Sequence, residues 1–233
     1  MDAEATGSAA TRPGRRLILL RHGEVVSHRG DQPLTETGRG QAEEAGRRLA
    51  AWGLGSVRLL SGATRRTRQT AQGVLCGLTA ADPAALVTAP QVAFALRNPD
   101  IYLAGDRVDM VSTAEAFAAQ VPGMTPDGVL GVPFFHGFLT APDRIAYWVH
   151  CADPPGDDAA RVAARIAAFA TSLGDQGVAA SDTVIGVTHS PVLRAVAVAF
   201  TGEDSGEPPY LNGYVVDVQG DGSVRVAAFD PLA

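Results

Sequence analysis

The chain contains no lysine: all 19 of its basic residues are arginine. Schiff-base chemistry and a Walker-type phosphate loop are thereby excluded, since both need the lysine amine. The absence itself reads as compositional bias. Cysteine is scarce as well. Cys76 and Cys151 lie far apart and fit no zinc or redox spacing, so buried free thiols in a reducing compartment are expected. No apolar run approaches the length of a membrane span, and residues 1–14 lack the apolar stretch of a secretory signal. A soluble, cytoplasmic protein without a membrane partner is expected. Positive charge is not in excess either. A net charge of −6 argues against a nucleic-acid partner, which needs a basic surface to neutralise phosphates. No clustering of His, Cys, Asp or Glu resembles a metal site, so chemistry without metal or cofactor is expected.

Apolar residues make up 46% of the 233 positions, enough for a sizeable core in one domain. Residues 1–14 read as a flexible tail and 15–233 as a single domain. Residues 16–20 read as a first buried strand. A helix is expected over 36–52, with Ala42, Ala45, Leu49 and Trp52 inward, Thr35 or Thr37 capping its start and Gly53 closing it. Residues 57–60 read as a second strand. A helix over 64–78 follows, with Ala71, Val74, Leu75 and Leu78 inward. This alternation predicts a three-layer α/β/α sandwich around a mostly parallel sheet.

Residues 80–158 break the rhythm and hold most of the prolines. A strand over 89–96 and a helix over 112–121 are expected there, with aromatic patches at 133–138 and 145–148. Residues 98–158 read as an irregular lid or cap insertion. Regularity then returns. Val162, Ile166, Phe169 and Leu173 form a helix face closed by Gly174, and 184–187 form a strand. Pro191 opens a helix at its first turn. Residues 214–218 and 224–229 form a hairpin around Gly220-Asp221-Gly222. The hairpin and the apolar helices leave a homodimer open.

Two histidines end apolar strands: Leu17-Ile18-Leu19-Leu20-Arg21-His22-Gly23-Glu24 and Thr183-Val184-Ile185-Gly186-Val187-Thr188-His189-Ser190. Open α/β sheets bind ligands at that strand edge. Arginine offers a planar donor fork for phosphate oxygens, and a neutral histidine is a nucleophile. His22 is therefore the candidate nucleophile for phosphoryl transfer. Gly23 would let the backbone pass close to the phosphate.

Together with Leu34-Thr35-Glu36-Thr37-Gly38-Arg39-Gly40-Gln41-Ala42 and Arg66-Thr67-Arg68-Gln69-Thr70-Ala71, these segments resemble the histidine phosphatase superfamily. The likeness is to the smaller branch of this phosphoglycerate mutase-like group. It covers residues 15–76 and 183–200 well and the middle poorly. The resemblance implies that His22 is transiently phosphorylated and that water hydrolyses the phosphohistidine. It further implies a phosphate clamp of Arg21, Arg66 and His189. Aligning on Gln69-Thr70-Ala71 selects Arg66, whereas anchoring on Ser61 would select Arg65. Ser190 completes the second histidine motif and joins the substrate-binding positions with Gly23 and His28.

The departures from the pattern bear on the chemistry. His28 stands where relatives often have asparagine, and it either touches phosphate or lies on a surface loop. Glu24 either orients groups near the site or anchors the next loop. Relatives often carry a Leu-Arg-Glu-x-Asp-Phe segment; here it is Leu96-Arg97-Asn98-Pro99-Asp100-Ile101. Asn98 cannot act as the expected acid. Asp100 is the first candidate to replace it, ahead of Asp106, Asp109 and Glu115. His136 and His150 read as structural or surface residues, with substrate contact as the sharper alternative.

The expected activity is metal-independent hydrolysis of a small-molecule phosphate ester. The mutase motif Glu-Arg-His-Tyr-Gly and a basic loop for a second phosphate are both missing. A phosphoglycerate mutase-type transferase, a non-catalytic phosphate-binding module and a protein phosphohistidine phosphatase are the rival readings.

Overall fold

Leu17 to Leu20 are at most 1% exposed, so the strand that holds them needs cover on both faces. In the computed structural model that strand, β1 (Arg15–Arg21), lies inside a six-stranded sheet. The structure describes residues 15–27, 30–175, 182–219 and 223–233. The expected tail at 1–14, the candidate His28 and the hairpin turn at 220–222 lie outside the described residues.

Along the chain follow α1 (Glu36–Ala50), β2 (Val57–Ser61), α2 (Arg65–Ala81) and β3 (Gln91–Val92). The hairpin β4 (Ile101–Leu103) and β5 (Asp106–Val108) comes next. Four short helices succeed it: α3 (Ala114–Ala118), α4 (Pro126–Leu130), α5 (Pro133–Thr140) and α6 (Arg144–His150). Then come α7 (Ala159–Ser172), β6 (Thr183–Thr188), α8 (Ser190–Thr201), β7 (Gly213–Val218) and β8 (Val224–Phe229). The sheet order is β3-β2-β6-β1-β7-β8, parallel from β3 to β1 and antiparallel from β1 to β8.

Side chains alternate across each strand, so neighbours serve opposite cores. Ile18, Leu20, Leu59 and Ile185 pack with Leu49 of α1 and with Val74 and Leu78 of α2. Leu17, Leu19, Leu60 and Val184 pack with Val162 and Ile166 of α7 and with Val192 and Leu193 of α8. The result is the three-layer α/β/α architecture, with a central, mostly parallel sheet. Thr35 caps α1 by accepting from the Gly38 N–H at 2.9 Å.

Several expectations need correction. The first helix ends at Ala50, before Gly53, and Trp52 is 48% exposed, edge-on to Phe229. The expected strand at 89–96 is the short edge strand β3, followed by a 3-10 turn at Phe94–Leu96. Cys76 is exposed and Cys151 half-buried, so neither is a core thiol. The insertion is made of a short hairpin and four short helices. Three of its prolines mark helix starts or the turn before one: Pro126 and Pro133 open α4 and α5, and Pro142 precedes the α6 cap Asp143. Phe117, Phe135, Phe138 and Trp148 are fully buried in the same core as the α7–α8 face.

Arg194 of α8 anchors this insertion. It is 1% exposed. Its Nη1 donates to both Asp143 carboxylate oxygens at 2.9 Å, its Nε to Asp204 Oδ1 at 2.8 Å and its Nη2 to Asp204 Oδ2 at 2.5 Å. At Asp204, Arg194 hydrogen bonding lowers the carboxyl pKa against the effect of burial. At Asp143, burial works upward but is outweighed by bonds from Ala146 and Arg194, so its pKa is also lowered. Depressed carboxyls contribute stability above their unfolded value of about 3.9, and that stability is lost as pH falls through the folded values. Arg194→Met strands a buried Asp204 and is expected to cost about 3 kcal/mol at pH 7, with the deficit shrinking below about pH 4. Urea midpoints of both proteins at pH 7 and pH 3 check this.

Candidate active site

Strand register builds the site. Arg21 pairs with Thr188 across β1 and β6, so the next residues, His22 and His189, leave adjacent parallel strands together. The His22 N–H bonds the Thr188 carbonyl at 3.0 Å, and the two rings meet edge-on with centroids 5.5 Å apart. Ser61 of β2 pairs with Val187 on the other side of β6, and the chain then turns into α2, which delivers Arg66. Arg21, His22, Arg66, His189 and Ser190 are all under 9% exposed and line one cavity of about 500 Å³.

His22 Nδ1 lies 2.8 Å from the Gly23 carbonyl. A carbonyl only accepts, so Nδ1 carries a proton, and in the neutral ring the lone pair is then on Nε2. Burial pushes the Arg21 and Arg66 guanidinium pKa values below their ordinary level, with Glu207 and Tyr210 opposing this at Arg21, and Asp31 and Asp109 at Arg66. Arg21 lines the same cavity and lowers the value at Arg66 as well. Each keeps a buried Nε without a hydrogen-bond partner among the described residues. Two desolvated cations with donors to spare have the chemistry to hold an anion.

The motif residues around this centre hold its backbone. Gly23 N–H donates to Thr70 Oγ1 at 2.9 Å, and Thr70 donates to the Arg66 carbonyl at 2.8 Å. Leu34 N–H donates to Gln69 Oε1 at 2.8 Å, and Thr35 Oγ1 donates to Glu24 Oε1 at 2.8 Å. Glu24 is thus an anchor for the following loop. Gly23 is absent from the cavity lining. A Cβ there would come within 2.7 Å of the Gly38 carbonyl oxygen, so close packing on α1 is what requires glycine.

Arg65 and Arg68 are exposed, which separates them from the buried Arg66. Asn98 lines the cavity, with its Oδ1 buried and unpartnered among the described residues. Thr188 Oγ1 donates to the Leu96 carbonyl at 2.9 Å and ties this segment to β6. Asp100 is not brought to the site. Arg97 donates to its Oδ2 and Arg107 to its Oδ1, and these bonds outweigh burial to hold its carboxyl below the usual range. A carboxylate bound between two guanidiniums outside the cavity lining is placed as a structural anchor, not as an acid. His136 and His150 are exposed and do not line the cavity.

The sequence reading missed the loop after α8. Arg21 Nη2 lies 2.5 Å from Glu207 Oε1, Arg21 Nη1 donates to the Pro208 carbonyl at 2.5 Å, and Tyr210 lies under the guanidinium at 4.2 Å. Ser190 Oγ donates to Glu207 Oε2. The available signal was a carboxylate followed by the stiff pair Pro208-Pro209. The far wall of the cavity comes from the insertion: Met110, Val111, Phe138 and Ile145 are apolar, with Ser112 and Arg144 beside them.

Among the described residues no cluster of three or more His, Cys, Asp or Glu could hold a metal ion. Likewise, no helix there is long and apolar enough to cross a membrane.

Comparison with known proteins bears on this arrangement. Residues 17–85 match the family model of the histidine phosphatase superfamily (branch 1). That segment contains Arg21, His22 and Arg66. No curated protein sequence matches the chain. The structure of mycobacterial glucosyl-3-phosphoglycerate phosphatase is similar at 20% identity and a TM-score of 0.55, covering 92% of this chain and 97% of that one. Phosphoglycerate mutase from Bacillus anthracis is similar at 18% identity and a TM-score of 0.59, covering 94% and 93%. These likenesses show the histidine phosphatase fold.

Proposed function

We propose that this chain, which is similar to the histidine phosphatase superfamily in fold and over residues 17–85, hydrolyses a small phosphomonoester through a phosphohistidine on His22. The observation that carries the proposal is the fixed tautomer of His22 beside two buried arginines. Phosphoryl transfer asks mainly for positioning and charge stabilisation. Arg21, Arg66 and His189 hold the equatorial phosphate oxygens, and His22 Nε2 attacks in line. The Nδ1–H bond to the Gly23 carbonyl keeps the ring oriented and steadies the positive charge that develops on it. Water then attacks the phosphohistidine and releases inorganic phosphate. The arginines supply the positive charge, and the proposed reaction is metal-independent. The apolar wall suits an ester with one phosphate and a partly apolar body.

The test is release of inorganic phosphate from p-nitrophenyl phosphate with EDTA present, together with rapid quenching to detect an acid-labile, base-stable phosphoprotein. Both are expected. Loss of release in EDTA would overturn metal independence. Phosphate bound but never released would identify a binding module. Phosphoryl returned to an isomerised product would identify a mutase.

A further inference from the structure

We propose that Glu207 protonates the leaving oxygen, replacing the carboxyl that the chain lacks at Asn98. The assignment rests on the phosphatase reading above. Among the described residues lining the cavity, only Asp143 and Glu207 are carboxylates. Asp143 is bound by both its oxygens to Arg194 and caps α6, so it is committed elsewhere. Glu207 faces the cradle. Its Oε1 contacts Arg21, and its Oε2 accepts from Ser190, the residue that follows His189. Its loop is fixed at both ends, by Asp204 on Arg194 and by Tyr210 against Arg21.

The same geometry accounts for how the acid is loaded. Arg21 Nη2 is a phosphate donor in the proposed mechanism, yet here it meets Glu207. A phosphate dianion and a carboxylate cannot share one guanidinium without strong repulsion, and a proton on one of them turns repulsion into a hydrogen bond. The protonated Glu207 then lies beside the bound ester. In the first step the bond from His22 Nε2 to phosphorus forms and the ester P–O bond breaks. The electron pair leaves on the ester oxygen, which takes the Glu207 proton and departs as an alcohol. In the second step the water oxygen bonds to phosphorus, the P–N bond breaks and its electron pair returns to Nε2. The water proton goes to Glu207, which restores the acid.

The experiment compares wild type with Glu207→Gln on p-nitrophenyl, phenyl and p-methoxyphenyl phosphate, whose leaving phenols grow more basic in that order. A lost acid matters most for the most basic leaving group. Glu207→Gln is expected to lose about 100-fold on p-methoxyphenyl phosphate and less than about tenfold on p-nitrophenyl phosphate. The ratio between esters is measured in one preparation and does not depend on the folded fraction. Glu207→Asp, an acid on a shorter arm, is expected to fall between the two. Equal loss on all three esters would overturn the role, leaving Glu207 a positioning group for Arg21. No loss with tighter inhibition by phosphate would overturn it too, leaving a competing anion. If wild type hydrolyses none of the esters, the phosphatase reading itself falls and the acid with it.

Discussion

His22→Ala is expected to lower turnover by about 10⁶-fold, the scale seen when the nucleophile of a covalent mechanism is removed. Without the imidazole, water must attack the ester directly, with no intermediate to divide the barrier. The cradle survives the change. Arg21 and His189 stand at the ends of β1 and β6, and Arg66 in the first turn of α2, so the backbone of the sheet and helix holds all three. Inorganic phosphate is therefore expected to bind the variant with affinity within about tenfold of wild type, a change worth at most about 1.4 kcal/mol. Stability is expected to change little, because the ring lines an open cavity instead of filling a core. Quenched-flow labelling, calorimetric phosphate titration and thermal melts check the three parts in turn. Retained phosphoprotein formation would move the nucleophile to His189, the neighbouring ring.

The fold was legible in the sequence where a single period ran long enough to be read. The apolar runs of β1 and β6 and the helical faces of α1, α2 and α7 each bury one side against the sheet, and their patterns show it. The insertion obscured itself for a physical reason. Its four helices span only five to eight residues each, too short for a 3.6-residue period to stand out. Their starts were nonetheless written in the caps Thr113, Thr125 and Asp143 and in the first-turn prolines. The helix expected over 112–121 is found as the shorter α3, whereas the three after it were not expected.

The site divides along the same line. Arg21, His22 and His189 follow from strand ends, and register alone brings them together. Arg66 was separable from Arg65 by its distance from Gln69-Thr70-Ala71, and burial separates them in the same sense. The motif slot of Asp100 points to an acid, but Arg97 and Arg107 claim both its oxygens. Glu207 could not be placed because it is distant from every motif along the chain and reaches the site through Arg21 and Ser190.

Arg66→Ala is expected to cost about 2.7–4 kcal/mol of transition-state stabilisation, or roughly 100- to 1000-fold in kcat/KM. The phosphoryl oxygens carry charge throughout the transfer, and a guanidinium held in a buried wall meets that charge without reorganising. Arg65→Ala is the matched control. Its side chain is exposed, and its backbone N–H donates to Asp31 Oδ1 at 2.6 Å, a bond that the substitution keeps, so activity within about twofold of wild type is expected. Arg66→Lys restores a point charge without the planar fork and is expected to recover only part of the loss. Stability should move the other way. Arg66 is desolvated and repelled by Arg21, and among the described residues Asp31 at 3.9 Å, the Gly30 carbonyl at 3.4 Å and the charge of Asp109 oppose this. Removing it relieves a buried cation that folding has to accommodate, so the thermal midpoint of Arg66→Ala is expected to equal or exceed that of wild type. Steady-state kinetics and thermal melts on the same three variants test both directions. A variant that loses activity and stability together would make Arg66 a structural post, whereas loss of activity with gain of stability is the signature of a charge held in place for the phosphoryl group.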